Sequence, residues 1–293
     1  MDQSSLKVMT MFLESLVRQL NAEFATAAWR STQRRPLRLE QGRVIGLFRG
    51  LYLRSTFTSI VDMSGGLLGH QALLQAYDRN QRLLASWVPY AMACLDDQAV
   101  VYLDRLCRTL HTLNGLVHAE SAWLLLDVHP RHVQEVRQDH GKVFQRILQL
   151  CGLQPRHIVL RFRAAEQVDF THLGRALEYF RARSFAIALV NSGDTERNRF
   201  EQLLELAPDF VHIERPRRPL APGDLAARLV SRILLARQRN CRILVQDIDS
   251  PAQAELAWLA GVDGIQGDYA ERLAASAVPV SHATAHSQYS EVC

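Results

Sequence analysis

Six short apolar runs end in side chains that can move protons or meet anions. Asp127 and His129 lie at the end of Trp123–Val128, Arg161 and Arg163 at the end of Ile158–Phe162, and Asn191 and Asp194 follow Phe185–Val190. His212 and Glu214 lie at the end of Phe210–Ile213, Gln246 and Asp247 follow Ile243–Val245, and Gln266 and Asp268 follow Gly264–Ile265. Carboxylates and imidazoles brought within hydrogen-bond reach can act as acid and base, so Asp127, His129, His212 and Glu214 are the proton-handling set. Arg161 and Arg163 suit phosphate oxygens, which a guanidinium meets with two parallel hydrogen bonds. No nucleophile or cofactor motif accompanies them. Cysteines 94, 107, 151, 241 and 293 include no C-x-x-C pair, so a structural zinc is not expected. Their odd number suits buried free thiols in a reducing compartment. His129, His132 and His140 lack the helix-face spacing that holds a catalytic metal.

These strand ends need a scaffold that points them one way. Between the apolar runs lie helical stretches at about 132–150, 173–182, 200–206, 225–239 and 252–259, so strand and helix alternate. Short buried strands alternating with amphipathic helices predict parallel βα units, and five or six in succession favour a closed barrel over an open sheet. In such a barrel the chemistry sits beyond the C-terminal ends of the strands, where all six runs turn polar. Upstream, Val44–Phe48 and Tyr52–Met63 read as strands, Gly65 and Gly66 as a turn, and Leu67–Leu74 as another apolar run. Residues 6–28 carry Met9, Phe12, Leu13, Leu16, Val17, Leu20 and Phe24 on one helical face, which is expected to pack back on the barrel. The predicted organisation is an N-terminal helix and linker over 1–40, a barrel over 41–275 and a flexible tail over 276–293.

The 293 residues carry 34 Lys+Arg against 30 Asp+Glu, a balance that gives no electrostatic case for nucleic acid. Arg215, Arg217 and Arg218 form the one dense basic cluster, and prolines interleaved with them predict a loop. Lys7 and Lys142 are the only lysines, so nothing beyond position 142 can bring a lysine to a site. No apolar run reaches the ~18 residues a membrane helix needs. The start lacks a signal-peptide layout, so a cytoplasmic protein is expected.

Taken in order, eight segments resemble the EAL domain, the bacterial phosphodiesterase domain that hydrolyses cyclic di-GMP. Ser59-Ile60-Val61-Asp62, a glycine turn and Gly69-His70-Gln71-Ala72-Leu73-Leu74 match Pro-Ile-Val-Asp and Gly-x-Glu-Ala-Leu-Leu. Leu103-Asp104-Arg105 sits at the family's Leu-Asp helix, and Asp127-Val128-His129-Pro130 matches Asn-x-Ser-Pro. Ile158–Arg163 takes the place of Glu-x-Thr-Glu, and 186–193 that of the segment ending Asp-Asp-Phe-Gly. Pro208 to Glu214 follows Pro-Asp-x-x-Lys-x-Asp, 244–249 corresponds to Ala-Glu-Gly-Val-Glu, and Gly264 to Tyr269 matches the closing Gln-Gly segment.

The resemblance implies a TIM-like (β/α) barrel of the α/β class and a two-metal hydrolysis in which carboxylates hold divalent cations. It also implies ligands at Gln71, Asp127, Arg161, Val190 with Asn191, and Gln246, where only Asp127 is a carboxylate. His212 stands in place of the family's lysine. Thr58 and Gln75 replace the family's nucleotide-contacting Gln and Arg. A degenerate site is therefore expected, with no metal, no cofactor and no phosphodiesterase activity. Gln71, Asp127, Arg161, Asn191, His212, Glu214, Gln246 and Gln266 would line a vestigial pocket, in which Arg161 pairs with Asp127 or Glu214. The expected function is that of a regulator acting through an unidentified protein partner, such as a transcriptional or motility regulator. A non-hydrolysing cyclic di-GMP receptor is the alternative, and the resemblance allows a homodimer.

Overall fold

The central short strands are near-continuous apolar runs because both of their faces are buried, one inside the barrel and one under the helices. A computed structural model of the chain describes residues 3–26, 35–116, 118, 122–136, 138–163, 169–192, 195–214 and 222–276. Its order begins α1 (Gln3–Thr26), β1 (Leu37–Glu40), β2 (Arg43–Phe48), β3 (Leu51–Val61), β4 (Leu67–Tyr77), β5 (Leu83–Leu84), α2 (Val88–Ala93) and α3 (Asp97–Asn114). The alternating part runs β6 (Trp123–Val128), α4 (Pro130–Glu135), α5 (Lys142–Leu150), β7 (Ile158–Arg163), α6 (Phe170–Arg181), β8 (Ala186–Ser192) and α7 (Arg197–Glu205). It ends β9 (Phe210–Glu214), α8 (Pro222–Arg237), β10 (Arg242–Val245), α9 (Pro251–Ala260), β11 (Gly264–Gln266) and α10 (Asp268–Ser276).

The sheet order is β1-β2-β3-β11-β10-β9-β8-β7-β6-β4-β5, and a further pairing of β3 with β4 closes the ring. The barrel is thus mixed. β4 and β6 to β11 run parallel, while β3 is antiparallel to both of its barrel neighbours. Ile60, Leu125, Val159, Ala188, Phe210 and Leu244 form the interior layer. Their alternates, such as Leu124, Leu126, Leu160, Ile187 and Leu189, pack outward into the larger core under the helices. The N-terminal ends of the strands are stoppered by Trp123 and Phe210, ring centroids 4.8 Å apart, with the Arg242 guanidinium over both. Among the described residues no helix is long and apolar enough to cross a membrane.

α1 packs back as its periodicity predicts. Leu13, Leu16, Val17, Leu20 and Phe24 are buried in the same core as Leu37 and Leu103. The Asn21 side chain accepts from Leu37 N at 3.0 Å and donates to Leu37 O at 2.9 Å, which satisfies backbone groups of strand β1. Phe12, placed on the inward face by periodicity, is 44% exposed.

Two sequence expectations need correction. The single helix read over about 132–150 is two helices, because Asp139 (φ 58°) and Gly141 (φ 82°) adopt left-handed backbone that no helix continues through. A Cβ at Gly141 would come within 2.8 Å of the Phe180 ring, so glycine is required there on both counts. The link before Arg38 read as irregular already contains the start of β1, whose Leu37 is buried. The tail beyond Ser276, the Arg215, Arg217 and Arg218 cluster, and Asp194 lie outside the described residues.

Candidate functional site

The same two-residue alternation that buries Leu125, Val159, Phe210 and Leu244 puts the next inward side chain of each strand at the mouth. These are Asp127, Arg161, His212 and Gln246, and register staggers them up the barrel wall from β6 to β10. Asp127 lies opposite Arg161 across β6 and β7, and Leu244 opposite His212 across β9 and β10. Ala188 lies opposite Arg161 on β8, its small side chain leaving room for a guanidinium.

Arg161 is 5% exposed and occupies the centre of this group. Its Nε donates to Asp127 Oδ1 at 2.5 Å and its Nη2 to Asp127 Oδ2 at 3.4 Å. Its Nη1 donates to His212 Nδ1 at 2.9 Å and to Gln246 Oε1 at 3.4 Å. The expected choice between Asp127 and Glu214 therefore falls on Asp127. Glu214 is taken by Arg163, whose Nη1 and Nη2 reach its two oxygens at 2.7 and 2.5 Å. That fork holds the Arg163 proton more firmly than usual, through the Glu214 hydrogen bonds first and against the cost of burial.

His212 is fully buried and held neutral. Burial pushes its pKa well below the usual range, and the charges of Arg161 and Arg163 push it further, with Gln266 opposing. Since a guanidinium has only donors, the Nδ1 facing Arg161 must accept, and the proton sits on Nε2.

The opposite side of the mouth is an uncharged chain of amides. Gln266 Nε2 donates to Gln71 Oε1 at 3.0 Å and also to Thr58 Oγ1, linking β11, β4 and β3. Thr58 and Gln71 are direct cross-strand partners. Thr58 joins the site without having been chosen from the sequence. The pattern that reveals it is its two-residue spacing from Ile60 on the interior face.

Asn191 is not brought into the cluster. It alternates with the interior residues Ala188 and Val190, is 1% exposed, and its amide has no hydrogen-bond partner among the described residues. His129 is drawn to the flank, where its ring stacks on Tyr90 at 4.5 Å. Among the described residues no group of three His, Cys, Asp or Glu side chains is arranged to hold a metal ion. Beside the mouth a cleft of about 230 Å³ opens between the ends of β6 and β7 and helices α4 and α6, floored by Val128, Val133, Phe162 and Leu173, with Arg163 on its rim.

With this geometry in place, comparison with known proteins is informative. A sequence profile described as the EAL domain matches residues 48–272. The fold matches that of the Bacillus subtilis YkuI protein with an EAL domain, solved with substrate cyclic di-GMP and calcium, at 21% identity and a TM-score of 0.60. That match covers 74% of this chain and 54% of the other, so this chain corresponds to about half of the Bacillus protein. A standalone versatile EAL protein from Vibrio cholerae, solved bound to cyclic di-GMP, matches at 19% identity and a TM-score of 0.61, covering 74% of this chain and 90% of that one. A Klebsiella pneumoniae protein solved with manganese and cyclic di-GMP matches at 14% identity and a TM-score of 0.61, over 73% of this chain and 54% of that one. No curated protein sequence matches this chain.

Proposed function

The chain belongs to the EAL domain family, and from that premise we propose that it is a signalling regulator that does not hydrolyse cyclic di-GMP and acts by binding another protein. The observation that carries this reading is Arg161, a buried guanidinium bonded to Asp127, His212 and Gln246 at a position where the family resemblance implies a metal-holding carboxylate. Guanidinium cannot be deprotonated in proteins, so the charge stays at any working pH. Hard divalent ions want several anionic or carbonyl oxygens. Among the ligand positions that the resemblance implies, the one carboxylate, Asp127, is bound to Arg161, Glu214 beside them is held by Arg163, and the oxygens of Gln71 and Gln246 already accept from Gln266 and Arg161. The donor set does not fit a divalent cation. Phosphodiester hydrolysis needs a barrier lowered by many kcal/mol, and neutral amides with an arginine offer no equivalent source.

Binding of a protein is supported by exposed apolar side chains outside the mouth. Trp87 and Leu95 flank α2, and they are 67% and 99% exposed. A transcriptional or motility regulator is the class of partner that suits a regulator of this family.

The test is incubation of the full chain with cyclic di-GMP and Mg²⁺ or Mn²⁺, with calorimetric titration alongside. Neither linear dinucleotide nor binding tighter than micromolar is expected. Micromolar binding without cleavage would make the protein a receptor, and cleavage would overturn the reading altogether.

A further inference from the structure

Away from the mouth, between α3, α4 and α5, a second arginine is buried with part of its charge unanswered. Asp104 and Arg108 stand one turn apart on α3, and both side chains are 1–2% exposed. Arg108 Nε and Nη2 donate to Asp104 Oδ2 at 3.1 and 2.6 Å, and its guanidinium lies 5.0 Å from the Phe144 ring centre. Nη2 also approaches His132 Nε2 at 3.4 Å. Nη1 is buried and has no hydrogen-bond partner among the described residues. A cavity of about 20 Å³ adjoins it, lined by Arg105, Arg108, His132, Gly141, Val143 and Phe144.

We propose that this cavity binds a small inorganic oxyanion of the phosphate class, held between the Arg108 Nη1 donor and the first turn of α5. A buried donor left without a partner carries its full desolvation cost, more for a charged group than the ~1–3 kcal/mol of a neutral one. The first-turn N–H groups of a helix lack intrahelical partners, and Gly141 at the N-cap supplies no side chain; Lys142 N donates to Asp139 O at 3.1 Å, so the first-turn donors on offer are those of Val143 and Phe144, both in the cavity wall. Those groups favour an anion.

The walls agree in charge. Two of the lining side chains, Arg105 and Arg108, are cationic, and Asp104 bonds Arg108. Asp139 on the rim is already taken by Lys142 at 3.3 Å and Arg183 at 3.1 Å. Burial brings the Arg105 pKa down to about 10, the nearby Arg108 charge adds to this, and Asp104 opposes it. His132 is held neutral, chiefly by burial and then by Arg108 and Arg105, so it adds no cation. The space, little above the ~10–15 Å³ needed for one water, takes one oxygen of the anion beside Nη1 and leaves the rest at the rim, where Val143 and Asp139 are exposed, and it admits no nucleoside.

The test is thermal melting of the full chain against sodium phosphate, with sodium chloride at matched ionic strength as reference. Phosphate should raise the midpoint saturably. In Arg105→Gln, which leaves the Asp104–Arg108 pair in place, the half-saturating concentration should rise at least tenfold. That concentration is the readout even where the variant melts lower without phosphate. A rise that never saturates and is equal in both proteins would be the general effect of an ion excluded from protein surfaces, and would overturn the proposal. So would no rise at all. Arg163→Gln reports on the mouth, and a phosphate effect lost there but kept in Arg105→Gln would overturn it as well.

Discussion

Arg161 in the mouth and Arg108 on the flank begin from the same chemistry. Each is a buried guanidinium bonded to one carboxylate with a neutral histidine beside it, His212 in one case and His132 in the other. They end differently. Arg161 spends Nε, Nη1 and Nη2 on three side chains from three strands, and its carboxylate Asp127 is 56% exposed. Arg108 spends Nε and Nη2, leaves Nη1 beside a cavity with no partner among the described residues, and its carboxylate is 1% exposed. The mouth is a stopper whose charge is fully answered and partly wetted. The flank is a small socket that opens at its rim and is short of one acceptor among the described residues.

That contrast breaks first at Asp104. Asp104→Ala should cost about 3–5 kcal/mol in urea unfolding, since it strands a buried guanidinium. A loss below about 1 kcal/mol would mean that water reaches Arg108 well enough to replace the carboxylate. Acidification comes next, because both histidines are pushed down, by burial first and by arginine charge second. Their folded pKa values lie below the unfolded value of about 6.5, so the unfolded chain binds more protons once the pH drops below that value. Stability should therefore be flat above about pH 6.5 and fall below it, by up to about 1.4 kcal/mol per pH unit for each histidine. Melting temperatures of His132→Gln and His212→Gln against pH should each show a shallower fall. Equal flattening in the two variants would show that the mouth and flank histidines respond alike. The smallest effect belongs to Arg161→Met. It leaves Asp127 free to hydrate, so a loss of about 1–2 kcal/mol is expected, well under that of Asp104→Ala. Equal losses would erase the distinction.

The two regions were also unequally legible. The mouth could be read from the sequence because a two-residue alternation is local, so a polar residue after an apolar run marks a strand end whatever its neighbours are. Asp127, Arg161, His212, Gln246 and Gln266 followed from that alone, and so did the closed barrel. Which carboxylate Arg161 would choose did not follow, because Arg163 competes for Glu214 from the adjacent rung. Asn191 shows the limit of transferring a motif, since it falls one residue out of phase with the interior. The flank was missed because its parts come from three helices, and only the Asp104–Arg108 spacing of one turn hinted at it. The break at Gly141 was hidden because apolar periodicity continues across it while the backbone reverses hand.

Lys142 gives that flank a practical consequence. It sits between Gly141 and Val143, both in the cavity wall, and its side chain is 69% exposed. The only other lysine in the chain is Lys7, on α1. A fluorophore carried on the Lys142 amine would therefore watch the socket without touching the stopper.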